Sequence, residues 1–333
     1  MKSEPVVAVV GATGLVGKEM IEILIQREFP YSEILCYASE GSEGSSVEVD
    51  GEDLEVLSLK DDSFEGVDIA LFATDASISS QFAPLAVKAG AFVIDNSSHF
   101  RLNPEIPLVV PEINGALITK TQKIYANPNC STIQLCMILN IIDKAAGLER
   151  VVVSTYQSVS GAGKKALEEL WEQCLAIFNQ SEMPLEHFSS QIAFNCIPHI
   201  DTFLDSGYTK EENKIIEESR KILGLPNLRI TATAVRVPVF HAHSESVNVE
   251  TKKELTPEEF IKLAESAIGV EVFPADDIYP MQITAAGGDT VQVGRVRRDD
   301  SIKNGLNLWI VSDNLRKGAA LNAIQIAEEL MKQ

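Results

Sequence analysis

The chain has 333 residues, more than one compact core usually contains, and we therefore predict two domains. Hydrophobic residues make up 45% of the sequence and charged residues 23%, which excludes a mostly disordered or collagen-like chain. The 28 Lys and Arg residues are outnumbered by 48 Asp and Glu residues, and the net charge is -20. Because such a surface repels phosphate backbones and anionic lipids, the composition argues against nucleic acid and membranes as partners.

The sequence shows no pattern of a membrane span or of an exported protein. It has no apolar run of about 18 residues, and its start, MKSEPVVAVVGATG, lacks the basic and apolar regions of a signal peptide. We therefore expect a cytoplasmic protein. The five cysteines contain no CxxC pair, so neither a disulfide framework nor a zinc site is indicated, and no metal is expected. They are Cys36, Cys130, Cys136, Cys174 and Cys196.

The first part of the sequence alternates between strand and helix patterns. An apolar run over residues 5–10 ends at a glycine, and apolar residues in helical spacing follow over residues 15–27. A second helix pattern covers residues 77–89, and further strands are predicted at 34–38, 69–73 and 92–95. This alternation predicts the α/β class, with a doubly wound, Rossmann-type parallel sheet covered by helices.

From Arg150 onward, β-branched runs alternate with helical stretches. We predict an α+β domain with a mostly antiparallel sheet and helices on one face. The helices cover residues 164–179 and 211–223, and the strands cover residues 151–155, 230–239, 246–250, 291–296 and 306–311. An amphipathic pattern over residues 314–331 predicts a last helix that packs back on the first domain. The expected domains are residues 1–128 with 314–333, and residues 129–313.

A glycine-rich turn joins the first strand to the first helix. Gly11, Gly14 and Gly17 form G-x-x-G-x-x-G, close to the dinucleotide fingerprint and in its expected context. Without side chains there, a pyrophosphate can approach backbone N–H groups at the positive end of the helix. Thr74 follows the strand that ends at Ala73, where a ligand in the crevice of such a sheet is expected. The alternative is that the glycines only permit a tight turn.

Cys130 lies in the stretch NPNCST, directly before the apolar-periodic segment 133–142, and is predicted in the first turn of a helix. A helix N-terminus lowers a thiol pKa because it favours the thiolate, the form that attacks a carbonyl carbon. Cys130 is therefore the candidate nucleophile, with a merely packed thiol as the alternative. The other four cysteines lie in apolar contexts and are expected to be small buried hydrophobes.

A cysteine nucleophile generally needs a base, and two histidines are placed to supply it. His241 and His243 lie two residues apart in a strand-like segment, so that both face one side of the strand if it is extended. A structural role is the alternative for either, since an isolated strand histidine is more often structural than catalytic. Arg236 lies inside an apolar strand, where a guanidinium is costly unless it meets a carboxylate of the protein or of an acidic substrate.

Five motifs are collinear from near residue 6 to residue 330, and they are GATGLVG, NPNCST, STYQSVSGAG, VRVPVFHAHSESV and SDNLRKGAA. Together they resemble the aspartate-β-semialdehyde dehydrogenase family in its bacterial form. The resemblance implies the reversible reductive dephosphorylation of L-4-aspartyl phosphate to L-aspartate 4-semialdehyde with NADPH, in lysine, methionine and threonine biosynthesis. It also implies a dinucleotide-binding first domain, a catalytic and dimerisation second domain, and a homodimer or a dimer of dimers.

The resemblance assigns catalytic roles to three residues. Cys130 becomes the nucleophile that carries the acyl group as a thioester, and His243 becomes the acid/base, which sets its neighbour His241 aside. Gln157 becomes an orienting amide beside the thioester and the substrate. The backbone N–H of Cys130, at the helix start, could stabilise the oxyanion.

The resemblance also assigns residues that hold the substrate and the phosphate. Arg236 becomes the clamp for the substrate α-carboxylate, and Glu211 faces the substrate amino group. Arg101, Lys214 and Asn129 become the phosphate ligands. Taken without the family, Glu211 and Lys214 are spaced i,i+3 on a helix and could equally form a surface ion pair.

The coenzyme site implied by the resemblance departs from the family at one position. Where relatives commonly carry an arginine for the 2′-phosphate of NADP, this chain has Gly41 between Glu40 and Glu43. The resemblance implies NADP as the coenzyme, and the missing arginine leads us to expect appreciable use of NAD as well. The residues expected at the coenzyme are Gly11, Thr13, Gly14, Leu15, Val16, Ser39, Gly41, Ser42, Thr74, Ser160, Gly161 and Asn314.

Two other functions share part of this pattern. N-acetyl-γ-glutamyl-phosphate reductase has the same two-domain plan and cysteine chemistry, but usually has a glycine and a tyrosine around its cysteine, where this chain has Asn129 and Ser131. A non-catalytic dinucleotide-binding sensor would keep the glycine turn, but it would not need the cysteine, amide, arginine and histidine together.

Overall fold

The structure is a computed structural model that describes residues 2–49, 51–275 and 277–333. The chain divides into two compact units, residues 1–129 with 319–333 and residues 130–318. The sequence predicts the second boundary between the units after residue 313, but in the structure it falls after Gly318. Residues 314–318 stay with the second unit because the Gly318 backbone packs against Cys130, whose Cβ would lie 3.0 Å from a Cβ on this glycine.

Strands and helices alternate along the chain. In chain order they are β1 (Val6–Val10), α1 (Leu15–Gln26), β2 (Glu33–Ala38), β3 (Ser46–Val49), β4 (Glu52–Ser58), β5 (Ile69–Phe72), α2 (Ala76–Ala89), β6 (Phe92–Asp95), α3 (Pro111–Asn114), β7 (Ile124–Ala126), α4 (Cys130–Ala146), β8 (Leu148–Gln157), α5 (Lys164–Asn179), α6 (Lys210–Leu223), β9 (Arg229–Arg236), β10 (His243–Thr251), α7 (Pro257–Glu265), β11 (Val270–Phe273), α8 (Gln282–Ala285), β12 (Val291–Asp299), β13 (Gly305–Ser312) and α9 (Leu321–Met331).

The first unit is built on a seven-stranded sheet with the order β3-β4-β2-β1-β5-β6-β7. Its strands pair in parallel, except for β3 with β4. The apolar run of β1 is buried because helices cover both faces of a parallel sheet. Strand order reverses at β1, so the carboxyl ends of β1 and β5 flank the crevice where such sheets bind ligands. The predicted α/β, Rossmann-type fold is confirmed.

The last helix belongs to the first unit, but it begins later than the sequence predicts. Residues 316–320 form a π-helical turn, and α9 starts only at Leu321. The turn forms because the Asp313 side chain accepts hydrogen bonds from the Leu315 and Arg316 backbone N–H groups, while Gly318 N–H donates to the Asp313 carbonyl. From there α9 packs its apolar residues into the core against α1.

The second unit is built on a six-stranded mixed sheet with the order β11-β12-β13-β10-β8-β9. Its three central pairs are antiparallel, and the two edge pairs, β11 with β12 and β8 with β9, are parallel. The predicted mostly antiparallel sheet is confirmed. Helix α4 is buried over most of its length and packs on α6 and β10. Across the described residues, no helix is long and apolar enough to cross a membrane.

Candidate active site

Three adjacent strands of the second unit place polar side chains side by side. His243 opens β10 and pairs with Gln157, the last residue of β8, which pairs in turn with Arg236, the last residue of β9. Their exposed fractions are 0%, 1% and 6%. Polar side chains buried this deeply are costly unless they have partners or a ligand. The register of one sheet therefore brings together three of the residues singled out from the sequence.

Burial decides the charge of His243. The pKa of its imidazole is lowered to about 3, mainly by burial and further by the positive charge of Arg236, so the ring is neutral at pH 7. Its Nδ1 accepts a hydrogen bond from the backbone N–H of Ser158 at 3.1 Å. Its Nε2 is buried and has no hydrogen-bond partner in the part of the chain that the structure describes. A neutral imidazole can give or take a proton in catalysis.

His241 does not share a strand with His243, as the spacing had suggested. Strand β10 begins at His243, and Ala242 before it adopts a positive φ of 66°. The Ala242 N–H donates to Asn314 Oδ1 at 3.0 Å, and its carbonyl accepts from Gln282 Nε2 at 2.9 Å. These two bonds turn the chain at Ala242, so the expectation of one extended segment was wrong.

Arg236 lies within electrostatic reach of two other predicted residues. Its Nη1 donates to the Ser158 carbonyl at 2.7 Å. Burial lowers the pKa of the guanidinium, while the negative charges of Glu211 and of the Cys130 thiolate act in the opposite direction. Arginine stays charged even so. A buried, fork-shaped cation beside a nucleophile candidate is suited to hold a carboxylate.

Glu211 and Lys214 form an ion pair that is not a surface pair. Glu211 accepts from Gln157 Nε2 at 3.3 Å and from Lys214 Nζ at 3.2 Å, and its side chain is only 7% exposed. Lys214 Nζ also contacts Asp201 Oδ2 at 2.9 Å. Burial has the largest single effect on the Lys214 pKa and lowers it, but the two carboxylates together raise it. The spacing alone could not show that this helix face points inward.

Cys130 begins α4 and is partly exposed, as a reactive thiol requires. Cys36 and Cys136 are buried, and burial raises their pKa values to about 11 and about 12, which keeps both protonated at neutral pH. Two other expectations were wrong, because Cys174 is only partly buried and Cys196 is exposed. Cys196 lies in a loop, where apolar sequence neighbours do not provide a core.

A second group of predicted residues surrounds Asn314, which the sequence had assigned to the coenzyme. Its Oδ1 accepts from Ser158 Oγ at 3.2 Å, from Ser160 Oγ at 3.1 Å and from the Ala242 N–H. Next to it, Gly161 leaves space that a side chain would fill. A Cβ there would lie 3.1 Å from Arg236 Nη1 and 3.2 Å from His243 Nε2. Sequence reasoning missed Ser158, because its contribution is a backbone N–H that no pattern marks.

The glycine turn of the first unit fits a dinucleotide phosphate. Gly11 has a φ of +89°, and a Cβ there would lie 2.4 Å from the Ala73 carbonyl oxygen and 2.9 Å from Thr74 Cγ2. A Cβ on Gly17 would lie 2.1 Å from the Gly11 carbonyl oxygen. Gly14 caps α1 with no side-chain hydrogen bond, so the first-turn N–H groups, near Thr13, Leu15 and Val16, suit an anion. Packing therefore requires Gly11 and Gly17, and the uncapped helix end is suited to accept an anion.

The predicted 2′-phosphate loop is open. Ser39, Gly41 and Ser42 lie at a 3-10 turn after β2, and a Cβ on Gly41 would meet no atom within 4 Å. Lys60 Nζ lies 3.9 Å from Glu43 Oε1, which places a cation beside this loop. Sequence reasoning missed Lys60 because β4, which carries the chain to it alongside β2, was not predicted.

Arg101 and Asn129, two of the predicted phosphate ligands, belong to the first unit, and both are buried. Arg101 Nη2 donates to the Asn96 carbonyl at 2.7 Å, and Asn96 Oδ1 accepts from Asn127 Nδ2 at 2.7 Å. These bonds hold the loop that carries Arg101. Lys214, the third predicted phosphate ligand, belongs to the second unit. No cluster of three or more metal-ligating side chains occurs among the described residues.

Comparisons with known proteins agree along the whole chain. Residues 6–121 match the family model described as semialdehyde dehydrogenase, NAD binding domain, and residues 138–317 match semialdehyde dehydrogenase, dimerisation domain. The aspartate-semialdehyde dehydrogenase of Aquifex aeolicus is 51% identical over 98% of each chain, and that of Bacillus subtilis is 48% identical over 98% of this chain and 97% of the relative. The crystal structure of aspartate semialdehyde dehydrogenase II from Vibrio cholerae, complexed with ASA, superposes with a TM-score of 0.97 at 47% identity, covering 100% of this chain and 99% of that one.

Proposed function

This chain belongs to the aspartate-semialdehyde dehydrogenase family of oxidoreductases, and we propose that Cys130 carries the acyl group in the reversible reductive dephosphorylation of L-4-aspartyl phosphate to L-aspartate 4-semialdehyde. The observation that carries the assignment is the placement of a partly exposed cysteine at the start of α4, close enough to the buried Arg236 for a thiolate there to raise the pKa of the guanidinium. This product serves lysine, methionine and threonine biosynthesis.

In the direction of the semialdehyde, the Cys130 thiolate attacks the acyl carbon of aspartyl phosphate. A carbon–sulfur bond forms, the carbon–oxygen bond to phosphate breaks, and a thioester remains on the enzyme. The nicotinamide coenzyme, when bound, supplies the hydride for the reduction. The Cys130 backbone N–H at the helix start stabilises the oxygen that becomes negative at the acyl carbon, and His243, neutral at pH 7, is the acid/base.

The substrate is a small zwitterion, and the second unit offers a charge for each of its ends. Arg236 holds the α-carboxylate through its planar fork, and Glu211 holds the ammonium group. Gln157, hydrogen-bonded to Glu211, orients the thioester. Lys214 keeps the phosphate role with Arg101 and Asn129. The burial of Arg236 and Glu211 supports these roles, because charges buried without such a purpose are costly.

The first unit is an NAD(P)-binding domain. We assign the pyrophosphate to the glycine turn, at Gly11, Thr13, Gly14, Leu15 and Val16, with Thr74 beside it. Ser160, Gly161 and Asn314 keep their assignment to the coenzyme; the Asn314 Oδ1 is fully used by three donors, which leaves its Nδ2 for a ligand. Ser39, Gly41 and Ser42 hold the adenosine ribose end. We propose NADP as the coenzyme, with appreciable use of NAD because Gly41 replaces an arginine.

We also propose that the chain forms a homodimer. The second unit matches a dimerisation-domain model. One face of its sheet carries an open cavity of about 560 Å³, lined among others by Ser246, Met281, Arg297 and Trp309. Tyr279 and Met281 at the cavity are exposed, as are Ile278 and Ile283 next to them in sequence, and such a group of exposed apolar side chains marks an interaction surface. A second copy covering this face would bury these apolar side chains.

The test is an assay of the purified chain with L-aspartate 4-semialdehyde, phosphate and NADP, read by the absorbance of the reduced nicotinamide. We expect NADP to be reduced only when all three reactants are present. N-acetyl-L-glutamate 5-semialdehyde serves as the matched control substrate, and we expect no turnover with it. Turnover of the control alone would assign the chain to the reductase with the same two-domain plan, and coenzyme binding without any turnover would identify a sensor.

A further inference from the structure

Two helices of the second unit begin with the same capping arrangement. In α6 the Thr209 hydroxyl accepts from the Glu212 backbone N–H at 3.2 Å, and the Glu212 side chain accepts from the Thr209 backbone N–H at 2.8 Å. In α7, Thr256 and Glu259 form the same box, at 3.2 Å and 2.9 Å. A capping box stabilises the helix end and uses one oxygen of the carboxylate. The second oxygen of each glutamate is therefore left for another partner.

The second oxygen of Glu212 binds a strand. Its Oε1 accepts from the Ala234 backbone N–H at 3.0 Å, whereas its Oε2 closes the capping box. Ala234 belongs to β9, the edge strand of the sheet, where a backbone N–H that faces away from the sheet needs another partner. Glu212 is buried, whereas Glu259 is exposed. The Glu212 carboxylate thus joins the first turn of α6 to β9.

This joint lies next to the two charges assigned to the substrate. Glu211 directly precedes Glu212 and accepts from Gln157 Nε2 at 3.3 Å. Ala234 lies two residues before Arg236, which pairs with Gln157 in the sheet. A shift of the first turn of α6 along β9 would therefore change the distance between Glu211 and Arg236. A misplacement of about 1 Å in an active site can cost about 100-fold in rate.

We propose that Glu212 is a positioning residue whose two hydrogen bonds hold Glu211 at the distance from Arg236 that suits a substrate with an ammonium group and a carboxylate. The identity of the substrate rests on the proposed function, whereas the joint between α6 and β9 does not. Successive side chains on a helix point about 100° apart, so Glu212 can face the strand while Glu211 faces the site. Both oxygens of Glu212 bind backbone N–H groups, and its role acts through Glu211.

Hydrogen exchange of the full chain, followed by nuclear magnetic resonance at the Ala234 amide, tests the joint. Glu212→Ala should speed this exchange by about tenfold or more, because the amide loses its acceptor. Glu259→Ala removes the matching box on α7 and should leave the exchange unchanged. If Glu212→Ala does not fold, Glu212→Gln replaces it, and its single oxygen should leave the Ala234 or the Thr209 amide exchanging faster. Unchanged exchange at both amides overturns the proposal.

Steady-state kinetics test the positioning role. Glu212→Gln keeps a side chain that can close the capping box but offers one oxygen to two donors. We expect it to raise the KM for L-aspartate 4-semialdehyde by about tenfold, equal to about 1.4 kcal/mol, and to leave the KM for NADP unchanged. Glu259→Gln is the matched control and should change neither constant. An unchanged semialdehyde KM in Glu212→Gln, or an equal rise in both variants, overturns the role.

A double-substitution cycle separates positioning from a general effect on the fold. In a Glu211→Gln background the carboxylate that Glu212 positions is gone, so Glu212→Gln should not raise the semialdehyde KM further. Additive effects of the two substitutions would show that Glu212 does not act through Glu211, and the proposal would fail. A wild type that does not turn over the semialdehyde would refute the proposed function, while the exchange at Ala234 would still report the joint.

Discussion

At the scale of single residues, burial separates the groups that can react from those that cannot. Cys136 is buried in α4, and its raised pKa keeps it a thiol, whereas Cys130 at the start of the same helix is partly exposed. The motif NPNCST, interpreted as a helix start, makes Cys130 the candidate nucleophile, and that role stays a prediction. The sequence could not show that the His243 imidazole is fully buried or that the Ser158 backbone N–H donates to it. Both features depend on strands that meet only in the fold.

Arg236 and Arg101 are expected to bind different substrates, the semialdehyde and phosphate. Arg236→Lys should raise the KM for the semialdehyde by about tenfold or more, the equivalent of about 1.4 kcal/mol, because an ammonium cannot reproduce a bidentate carboxylate contact. Arg101→Ala should instead raise the KM for phosphate. Steady-state kinetics with each substrate varied separately measure this. Equal effects of both variants on both substrates would contradict the division of roles.

His243 should make the stability of the chain depend on pH. Its folded-state pKa of about 3 lies below the ordinary 6.5, so below pH 6.5 the unfolded chain binds a proton that the native chain does not. Stability from this group is present above pH 6.5 and is lost on acidification, by about 2 kcal/mol between pH 7.5 and 5. Denaturant unfolding of the wild type and of His243→Asn measures it, and parallel pH curves would show that the histidine is not buried in neutral form.

At the scale of elements, the sequence predicted the helices and strands whose apolar residues follow one clear period. It missed those whose pattern is mixed. The glycine turn with α1, the buried parallel strands and the start of α4 were found from the sequence. Strands β3 and β4 were missed, because their charged residues alternate with few apolar ones. The turn before α9 was predicted as helix, since the hydrogen bonds of the Asp313 side chain and carbonyl that rewind it are not visible as a pattern.

The loop after β2 should set the coenzyme preference. Gly41 faces open space, so Gly41→Arg can be accommodated without a clash. The new cation should shift the ratio of kcat/KM toward NADP by about tenfold, as one charge-assisted contact of about 1.5–3 kcal/mol allows. Kinetics with NADP and NAD measure the ratio in both proteins. A wild type that already prefers NADP by more than about 1000-fold, equal to about 4 kcal/mol, and does not respond to the substitution would show that another cation, such as Lys60, binds the phosphate.

At the scale of the whole molecule, the sequence predicted two domains and their sheets, but not the register that forms the site. Gln157 is far along the chain from both Arg236 and His243, and it comes to lie between them because β8 lies between β9 and β10. The edge strand β11 and the parallel pairs at both edges of the second sheet were also missed, since strand order depends on long-range pairing. The family resemblance supplied the residues, and the fold supplied their arrangement.

The proposed homodimer can be tested by substituting two isoleucines that are equally exposed to solvent. Light scattering should give a mass of twice the 36.3 kDa of the chain. Ile283→Asp, at the apolar patch beside the sheet cavity, should weaken the assembly, because a charge would be buried at the interface. Ile268→Asp, at a residue that is also 82% exposed but lies outside the patch, is the matched control and should not. Equal dissociation by both, or a monomeric wild type, would contradict the proposed interface.

The central claim is that Cys130 carries the acyl group, and trapping that group tests it most directly. The enzyme is mixed with L-aspartate 4-semialdehyde and NADP without phosphate, quenched in acid, digested and analysed by mass spectrometry. We predict an aspartyl acyl group on the peptide that contains Cys130, and we predict its loss when phosphate is added before the quench. Cys196→Ala should behave like the wild type, and Cys130→Ala should show neither adduct nor turnover. An adduct on another cysteine, or ordinary turnover in Cys130→Ala, would contradict the account.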